Sequence, residues 1–499
     1  MLFNSYEFIF LYLPIVTIVF FGLSKYRLYG AALSWLIAAS LIFYGYWNPS
    51  YLGLISGSII INFTIGSWIH QCQEHLFRKW LMIIGVTFNL CLLGYFKYTD
   101  FFITNFNFLF RTDYHLKNIL LPLAISFFTF QQIGYLIDTY RNQTDKSKFL
   151  PYCLFVAFFP QLIAGPIVKH REMMPQYLDE HFYKFNYKNV AFGLTLFLIG
   201  LFKKVILADG ISVYAIPVFE AAENAISITF FEAWCGALSY SFQLYFDFSG
   251  YSDMAIGIAK IFNISLPINF FSPYKVVNII EFWRHWHITL SRFLRDYLYL
   301  PLGGNRKGTS RRYLNIIITM LLGGLWHGAG WTFVAWGALH GFYLVINHLW
   351  HAIRVKIGYG FHKSSTLGLG ISYTITFASV VIAWVFFRAE SLRGAFTILK
   401  GMIGLNRIAG FEGNYLGSIH SAGVFIWIAF AFSIVFLLPN TAQIFKESKF
   451  LLTPKSAPKG ISLNIEWKSS LLWMLFMACI GIISISRLHK FSEFLYFNF

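Results

Sequence analysis

The stretch LLGGLWHGAGW (321–331) places His327 in a glycine-rich, otherwise apolar setting. Imidazole titrates near neutrality, so it is the side chain suited to taking and returning a proton there. If Arg312 marks a membrane surface, fifteen helical residues carry His327 about 22 Å inward. That is past the middle of a hydrocarbon core roughly 30 Å thick. An ionisable group at that depth faces a cavity or a partner. A neutral histidine satisfied by a neighbouring helix is the other reading, and both stay open at this point.

A second cluster lies in EFWRHWHITLSRFLRDYLYLPLGG (281–304), which alternates aromatic and charged residues. Trp283, His287 and Leu290 recur at i, i+4 and i+7, while Arg284, His285 and Arg292 fall on other faces. The pattern predicts one amphipathic helix lying at the cytoplasmic interface, anchored by Trp283 and Trp286, with Arg292 paired to Asp296 four residues on. A third cluster, YSFQLYFDFSGYSDMAIG (240–257), gathers Asp247, Ser249, Ser252 and Asp253 around Gly250. Ser and Asp beside glycine favour helix ends, so capping is the first reading. Orienting a histidine or a substrate hydroxyl is the second. No carboxylate, His or Cys spacing suits a metal, and none is expected.

These clusters sit in a chain of 499 residues that is 57% hydrophobic and 20% aromatic, with 12% charged residues. Soluble proteins carry about 25% charged residues, so a soluble globule and a disordered chain are both excluded. An all-α polytopic membrane protein follows. The net charge of +17 does not indicate nucleic acid, because the cations lie in short loops between apolar runs, as in cytoplasmic membrane loops. The five cysteines show no CxxC pair, which argues against a disulfide framework or a zinc site.

The N-terminal stretch lacks a basic region and a small-residue cleavage site and reads as a retained first span. Segments free of Asp, Glu, Lys and Arg follow at 8–24, 29–47, 51–69, 80–96, 119–137, 189–202, 233–246, 314–350, 367–386, 421–438 and 470–486. At roughly 20 residues per crossing, about 11 or 12 transmembrane helices are expected. The 314–350 run would be about 56 Å long as one helix, so it must break at glycines 323, 324, 328 or 330. Lys25, Arg27, Arg78, Lys79, Arg141, Lys146 and Lys148 fall in alternate loops, which puts those loops in the cytoplasm and the N-terminus outside. A loop at 97–117, with Lys97, runs against that pattern. In 151–168, Pro160 and Pro166 flank Gly165 inside an apolar run. Broken backbone at membrane depth needs protein or water around it, so this segment reads as re-entrant or cavity-lining. The stretch 444–460 reads as a loop, and the remaining histidines, His340 among them, as interfacial. No internal repeat emerges, so residues 1–499 form one membrane domain with a motif-rich core over about 119–350.

Taken in order, LPLAISFFTFQQIGYLIDTYR, FFPQLIAGPIVKHREM, YSFQLYFDFSGYSDMAIGIAK, EFWRHWHITLSRFLRDYLYLPLGGNRKG and MLLGGLWHGAGWTFVAWGALHG resemble the membrane-bound O-acyltransferase (MBOAT) family. FNSYEFIFLYLP and LRDYLYLPLGGNR are similar to its bacterial alginate O-acetyltransferase branch, which includes peptidoglycan and other polysaccharide O-acetylation. The resemblance implies a ring of tilted helices around a central tunnel in a bacterial inner membrane. It makes His327, in W-H-G, the catalytic histidine and general base. His287, in R-x-W-H-I, becomes a helper that orients the acyl group or stabilises the oxyanion. His285 stands where relatives often carry a second arginine. Trp283, Arg284, Trp286, Arg292, Arg295, Asp247, Ser249 and Trp326 become supporting or donor-binding residues, the arginines drawing in an anionic coenzyme A. The implied donor is acetyl-CoA, or an acyl-carrier thioester, on the cytoplasmic side, with no bound cofactor. The implied acceptor is a polysaccharide hydroxyl, reached with an SGNH-hydrolase-like or other acetyl-accepting extracytoplasmic partner. D-alanyl transfer to teichoic acid from a carrier-protein thioester is the nearest alternative. A secondary transporter or flippase is the alternative from another class.

Overall fold

A computed structural model describes residues 1–358, 365–406, 422–445, 465–468, 470–488 and 494–495. The expected 444–460 loop lies almost wholly outside them. Among the described residues the chain is helical, with no strand. A π-helical turn leads into α1 (Leu13–Lys25), followed by α2 (Tyr29–Gly45), α3 (Tyr51–Gln71) and α4 (His75–Leu93). A second π turn, Gly94–Tyr98, joins α4 to α5 (Thr99–Phe110). Next come α6 (Ile125–Tyr140), the short α7 (Phe149–Ala157) and α8 (Phe159–Leu162), and α9 (His170–Leu178). Helix α10 (Tyr187–Phe202) runs through a third π turn into α11 (Asp209–Glu223), and α12 (Phe230–Ile261) follows. The rest are α13 (Ile279–His285), α14 (Ile288–Leu294), α15 (Thr309–His327), α16 (Trp331–Lys356), α17 (Thr366–Arg388), α18 (Leu392–Met402), α19 (Ala422–Leu437), α20 (Thr441–Ile444) and α21 (Leu471–Ser486).

Five helical runs are long and apolar enough to cross a membrane: Glu7–Lys25, Tyr51–Gln71, His75–Phe110, Tyr187–Glu223 and Thr366–Arg388. Three shorter apolar helices accompany them: Tyr29–Gly45, Gly423–Leu437 and Leu471–Ser486. The other expected spans fall on α6, α12, α15 and α16. Helix α6 is mostly buried, and α12 is buried at every residue from Ser239 to Ile261. A helix wrapped by other helices can carry polar groups that a lipid-facing span cannot.

Helix α12 is the axis of the bundle. It lies so close to α10 that a Cβ at Gly200 would come 2.5 Å from the Gly250 carbonyl oxygen. Small residues permit that approach inside membranes, where packing must hold helices together. This contact also overturns the capping reading of 240–257, because Asp247 and Asp253 lie well inside α12. Asp247 pairs with Lys204 at 2.8 Å, Lys204 also reaches Asp209 at 2.9 Å, and Asp253 pairs with Lys203 at 2.6 Å. The N-terminus of α12 is capped by Thr229 and Glu232 instead.

The long 314–350 run breaks after His327, and Gly328 and Gly330 are extended. Gly324 and Gly337 instead let α15 and α16 touch, since a Cβ at Gly324 would lie 2.3 Å from the Phe333 carbonyl oxygen. The 151–168 segment is wholly buried and breaks at Phe158 between α7 and α8, as irregular backbone at depth requires.

Two expectations fail here. Lys97 is not in a loop, because α4, the π turn and α5 form one run from His75 to Phe110. Nor is 281–304 one amphipathic helix. It splits into α13 and α14 at His287, whose φ of +40° is left-handed. Trp283 and Trp286 are buried rather than anchored at an interface. Arg292 pairs with Glu172 at 2.6 Å, while Asp296 takes Lys169 and Arg295 as partners.

Candidate active site

His287 owes its conformation to Asn269. The Asn269 Oδ1 accepts from the Thr289 amide at 3.2 Å and from its hydroxyl at 2.8 Å, and lies 3.2 Å from His287 Nδ1. The Ile288 amide donates to the Asn269 carbonyl, and the Phe271 amide to that of His285. Left-handed backbone at a non-glycine residue costs about 1–3 kcal/mol and persists only where its surroundings over-determine it. Because the Thr289 amide must donate, Asn269 Oδ1 is an acceptor. His287 then carries its proton on Nδ1, and Nε2 is the atom able to accept one.

His327 is the last residue of α15, and its carbonyl is among those the helix leaves without an internal donor. Lys97 supplies one. Its Nζ donates to the Trp326 and His327 carbonyls at 2.5 and 3.1 Å and lies 3.4 Å from Ser126 Oγ. The neighbouring Tyr98 hydroxyl donates to the Leu325 carbonyl at 2.7 Å. The π turn of 94–98 therefore grips the end of α15.

These devices bring the two imidazoles to 6.4 Å between ring centres. Trp326 contacts both, at 6.1 Å from His287 and 4.9 Å from His327. Phe248 of α12 covers His287, and Trp336 and Phe387 cover His327. His287 is 0% exposed and His327 3% exposed, so the passage implied by the resemblance is closed at this point. A reactant reaches the pair only when a neighbouring ring moves.

A narrow cleft with a free volume of only about 10 Å³ lies near the pair, lined by Gln131, Lys169, Thr289, Arg292, Phe293 and Tyr297. Phe130 forms its inner wall, stacked on Phe293 at 4.2 Å and on Trp326 at 5.3 Å. Arg78 donates to the carbonyls of Thr139 and Tyr140, and the Arg141 guanidinium lies 5.9 Å above Tyr297. The cleft therefore lies beside the basic segment that follows α6. Burial opposes the charge of Asp296, but hydrogen bonds from Arg295 and Lys169 outweigh it and hold that carboxyl below its ordinary range. Arg284 and Arg295 flank a separate groove with Trp283, Ser291, Tyr299 and His348.

Of the residues singled out from sequence, His287, His327 and Trp326 meet at the centre, and Arg292 lines the cleft. Trp283 is one ring further out, against Trp336 at 5.8 Å. Trp286 packs on Trp384 and Phe270 in the core. Asp247 is not brought to the histidines and is spent on Lys204, and Ser249 is buried beside it on α12. Sequence reasoning missed Asn269, Thr289, Lys97 and Phe130. It also placed His340 at an interface. The structure buries it completely in α16 among Phe282, Trp283 and Trp336, with neither ring nitrogen hydrogen-bonded among the described residues.

Residues 106–386, more than half the chain, match the model of the membrane-bound O-acyltransferase family. A peptidoglycan O-acetyltransferase of Helicobacter pylori is 49% identical over 82% of this chain and 81% of its own. A protein of Pseudomonas putida named as a probable alginate O-acetylase is 37% identical over 100% of both. A teichoic acid D-alanyltransferase of Streptococcus thermophilus is 28% identical over 54% of this chain and 69% of its own. Acyl transfer thus stands: the chain belongs to the membrane-bound O-acyltransferase family and is a multi-pass membrane O-acyltransferase.

Proposed function

We propose that this chain transfers an acetyl group from acetyl-CoA, presented on the cytoplasmic side of a bacterial inner membrane, to a hydroxyl on the far side. The product is an O-acetylated cell-surface polysaccharide such as peptidoglycan or alginate. A separate extracytoplasmic protein, SGNH-hydrolase-like or otherwise acetyl-accepting, hands the group on. The observation that carries this reading is the enclosed pair of histidines, 6.4 Å apart, near a cleft lined by Lys169 and Arg292.

A thioester is already activated, so the chemistry needs a base for the attacking hydroxyl rather than a protein nucleophile. His327 takes that proton, a contribution worth about 10²–10⁴-fold. His287, its Nδ1–H held by Asn269, packs beside the acyl group and orients it. Of the two roles the resemblance implies for His287, orienting the acyl group or stabilising the oxyanion, we take the first, because the neutral ring has no second proton to donate. The donor's arm enters by this cleft once it widens, past Lys169 and Arg292, which line it in ion pairs with Asp296 and Glu172 and can re-pair with an anionic carrier. Ring walls exclude water that would otherwise hydrolyse the thioester.

Radiolabelled acetyl-CoA supplied to inside-out vesicles tests the reading. Label should move to glycan or to a partner protein in a His327-dependent way. Vesicles that transfer only D-alanine from an aminoacylated carrier protein would overturn the acetyl assignment, and transfer unaffected by His327→Ala would overturn the base.

A further inference from the structure

With Nδ1–H of His287 given to Asn269, the neutral ring has no proton to offer an oxyanion. The negative charge that develops on a thioester oxygen nevertheless needs a fixed donor, worth about 10²–10³-fold in comparable sites. Trp326 stands beside both imidazoles, and its indole Nε1–H meets no acceptor among the described residues although the residue is only 4% exposed. An indole nitrogen is a donor only, so no change of tautomer relieves it. A buried donor left without a partner is costly and calls for an explanation.

The ring is also clamped. Phe130 stacks on it at 5.3 Å, Phe127 meets it edge-on at 5.4 Å, and the Lys97 ammonium lies 5.9 Å from its centre. The same ammonium bonds the backbone carbonyls of Trp326 and His327. Donor and base are therefore held by one cation on one helix end. Trp336 also has an unpartnered Nε1–H, but it touches His327 at 5.0 Å and otherwise packs on His340 and Trp384.

We propose that Trp326 is a further catalytic residue, its Nε1–H donating to the thioester carbonyl oxygen as that oxygen becomes an anion, with Lys97 as the positioning residue that holds it there. The inference rests on the acetyl-transfer reading. The acceptor oxygen bonds to the carbonyl carbon while its proton passes to His327, and the carbonyl electron pair moves onto the oxygen bonded by Trp326. Collapse re-forms the carbonyl and breaks the carbon–sulfur bond. The departing thiolate recovers the proton from His327, so no other reactant is needed.

The test uses the full chain in inside-out vesicles that retain the native acceptor protein and glycan, with labelled acetyl-CoA as donor and thiol release as a second readout. Trp326→Phe should lower kcat by roughly 10²–10³-fold with KM for acetyl-CoA unchanged. Benzothienylalanine introduced at 326, which keeps the ring's size and removes only the N–H, should show the same loss in protein of normal thermal stability. Lys97→Met should lower kcat, and Lys97→Arg should restore most of it. A benzothienyl variant with wild-type kcat would overturn the inference alone, as would a larger kcat loss for Trp336→Phe than for Trp326→Phe. Wild-type chain without His327-dependent acetyl transfer would overturn the parent reading and this inference with it.

Discussion

Asn269 shows how much of the site rests on a residue that does no chemistry. Its side-chain oxygen serves a backbone amide, a hydroxyl and His287 Nδ1 at once. Replacing it by Ala leaves the buried Thr289 amide without a partner, which costs about 1–3 kcal/mol. It also releases His287 from its left-handed backbone. We expect Asn269→Ala to lower the unfolding temperature and to cut acetyl transfer at least as far as His287→Ala, measured on detergent-purified protein and in vesicles. His287 and His327 were legible in the sequence because a histidine among glycines and tryptophans is conspicuous in an apolar chain. Asn269 was not, since its meaning comes from a contact across the fold rather than from its neighbours in the chain. Lys97 left a signal, a cation within a helical run, but a charge count by loops assigns every such cation to a loop.

Helices α13 and α14 illustrate the limit of periodicity. The i, i+4, i+7 pattern of Trp283, His287 and Leu290 is real, yet it continues across a residue that leaves the helix. Spacing registers which residues are apolar and is blind to the strain that a neighbouring strand of chain, here 269–271, can impose. The glycine break after His327 was readable, because a run of that length cannot be one crossing. Phe130 on α6 closes the way from the cleft to the histidines. Phe130→Ala should therefore raise acetyl-CoA hydrolysis without acceptor while transfer falls, read as thiol release against label transferred. Unchanged hydrolysis would mean that the ring is not the barrier. Along the mouth, Asp296 titrates below its ordinary value near 3.9. A depressed carboxyl contributes fully above that value and is lost only as pH falls through its folded pKa. KM for acetyl-CoA should thus show no inflection from Asp296 between about pH 5 and 8, whereas Asp296→Asn should shift KM at every pH in that range.

At the scale of the molecule, α12 gathers the charges that the apolar count could not foresee. Two ion pairs, Lys203–Asp253 and Lys204–Asp247, hold the α10–α11 run against α12, and Lys204–Asp209 lies within that run. Removing one partner of a buried pair costs about 3–5 kcal/mol, while replacing both with apolar residues is often neutral. Asp247→Ala should therefore destabilise the purified protein strongly, and Lys204→Met with Asp247→Leu should recover much of the loss in a thermal melt. Recovery of fold with wild-type acetyl transfer would confine these charges to architecture. The sequence reveals Asp247 and Lys204 as unusual for a membrane chain but cannot reveal that they face each other.

The same ion pairs constrain how the protein is made. Entering lipid alone, α12 would carry Asp247 and Asp253, and the α10–α11 run Lys203, without their partners, at a penalty of up to about 2.5–3.5 kcal/mol per residue. Lys204 neutralises Asp247 only once both helices are present. The α10–α11 run is therefore poorly suited to partition sideways on its own as the ribosome delivers it. It should linger at the insertion machinery until α12 emerges, so that the two leave for the bilayer together with both ion pairs made.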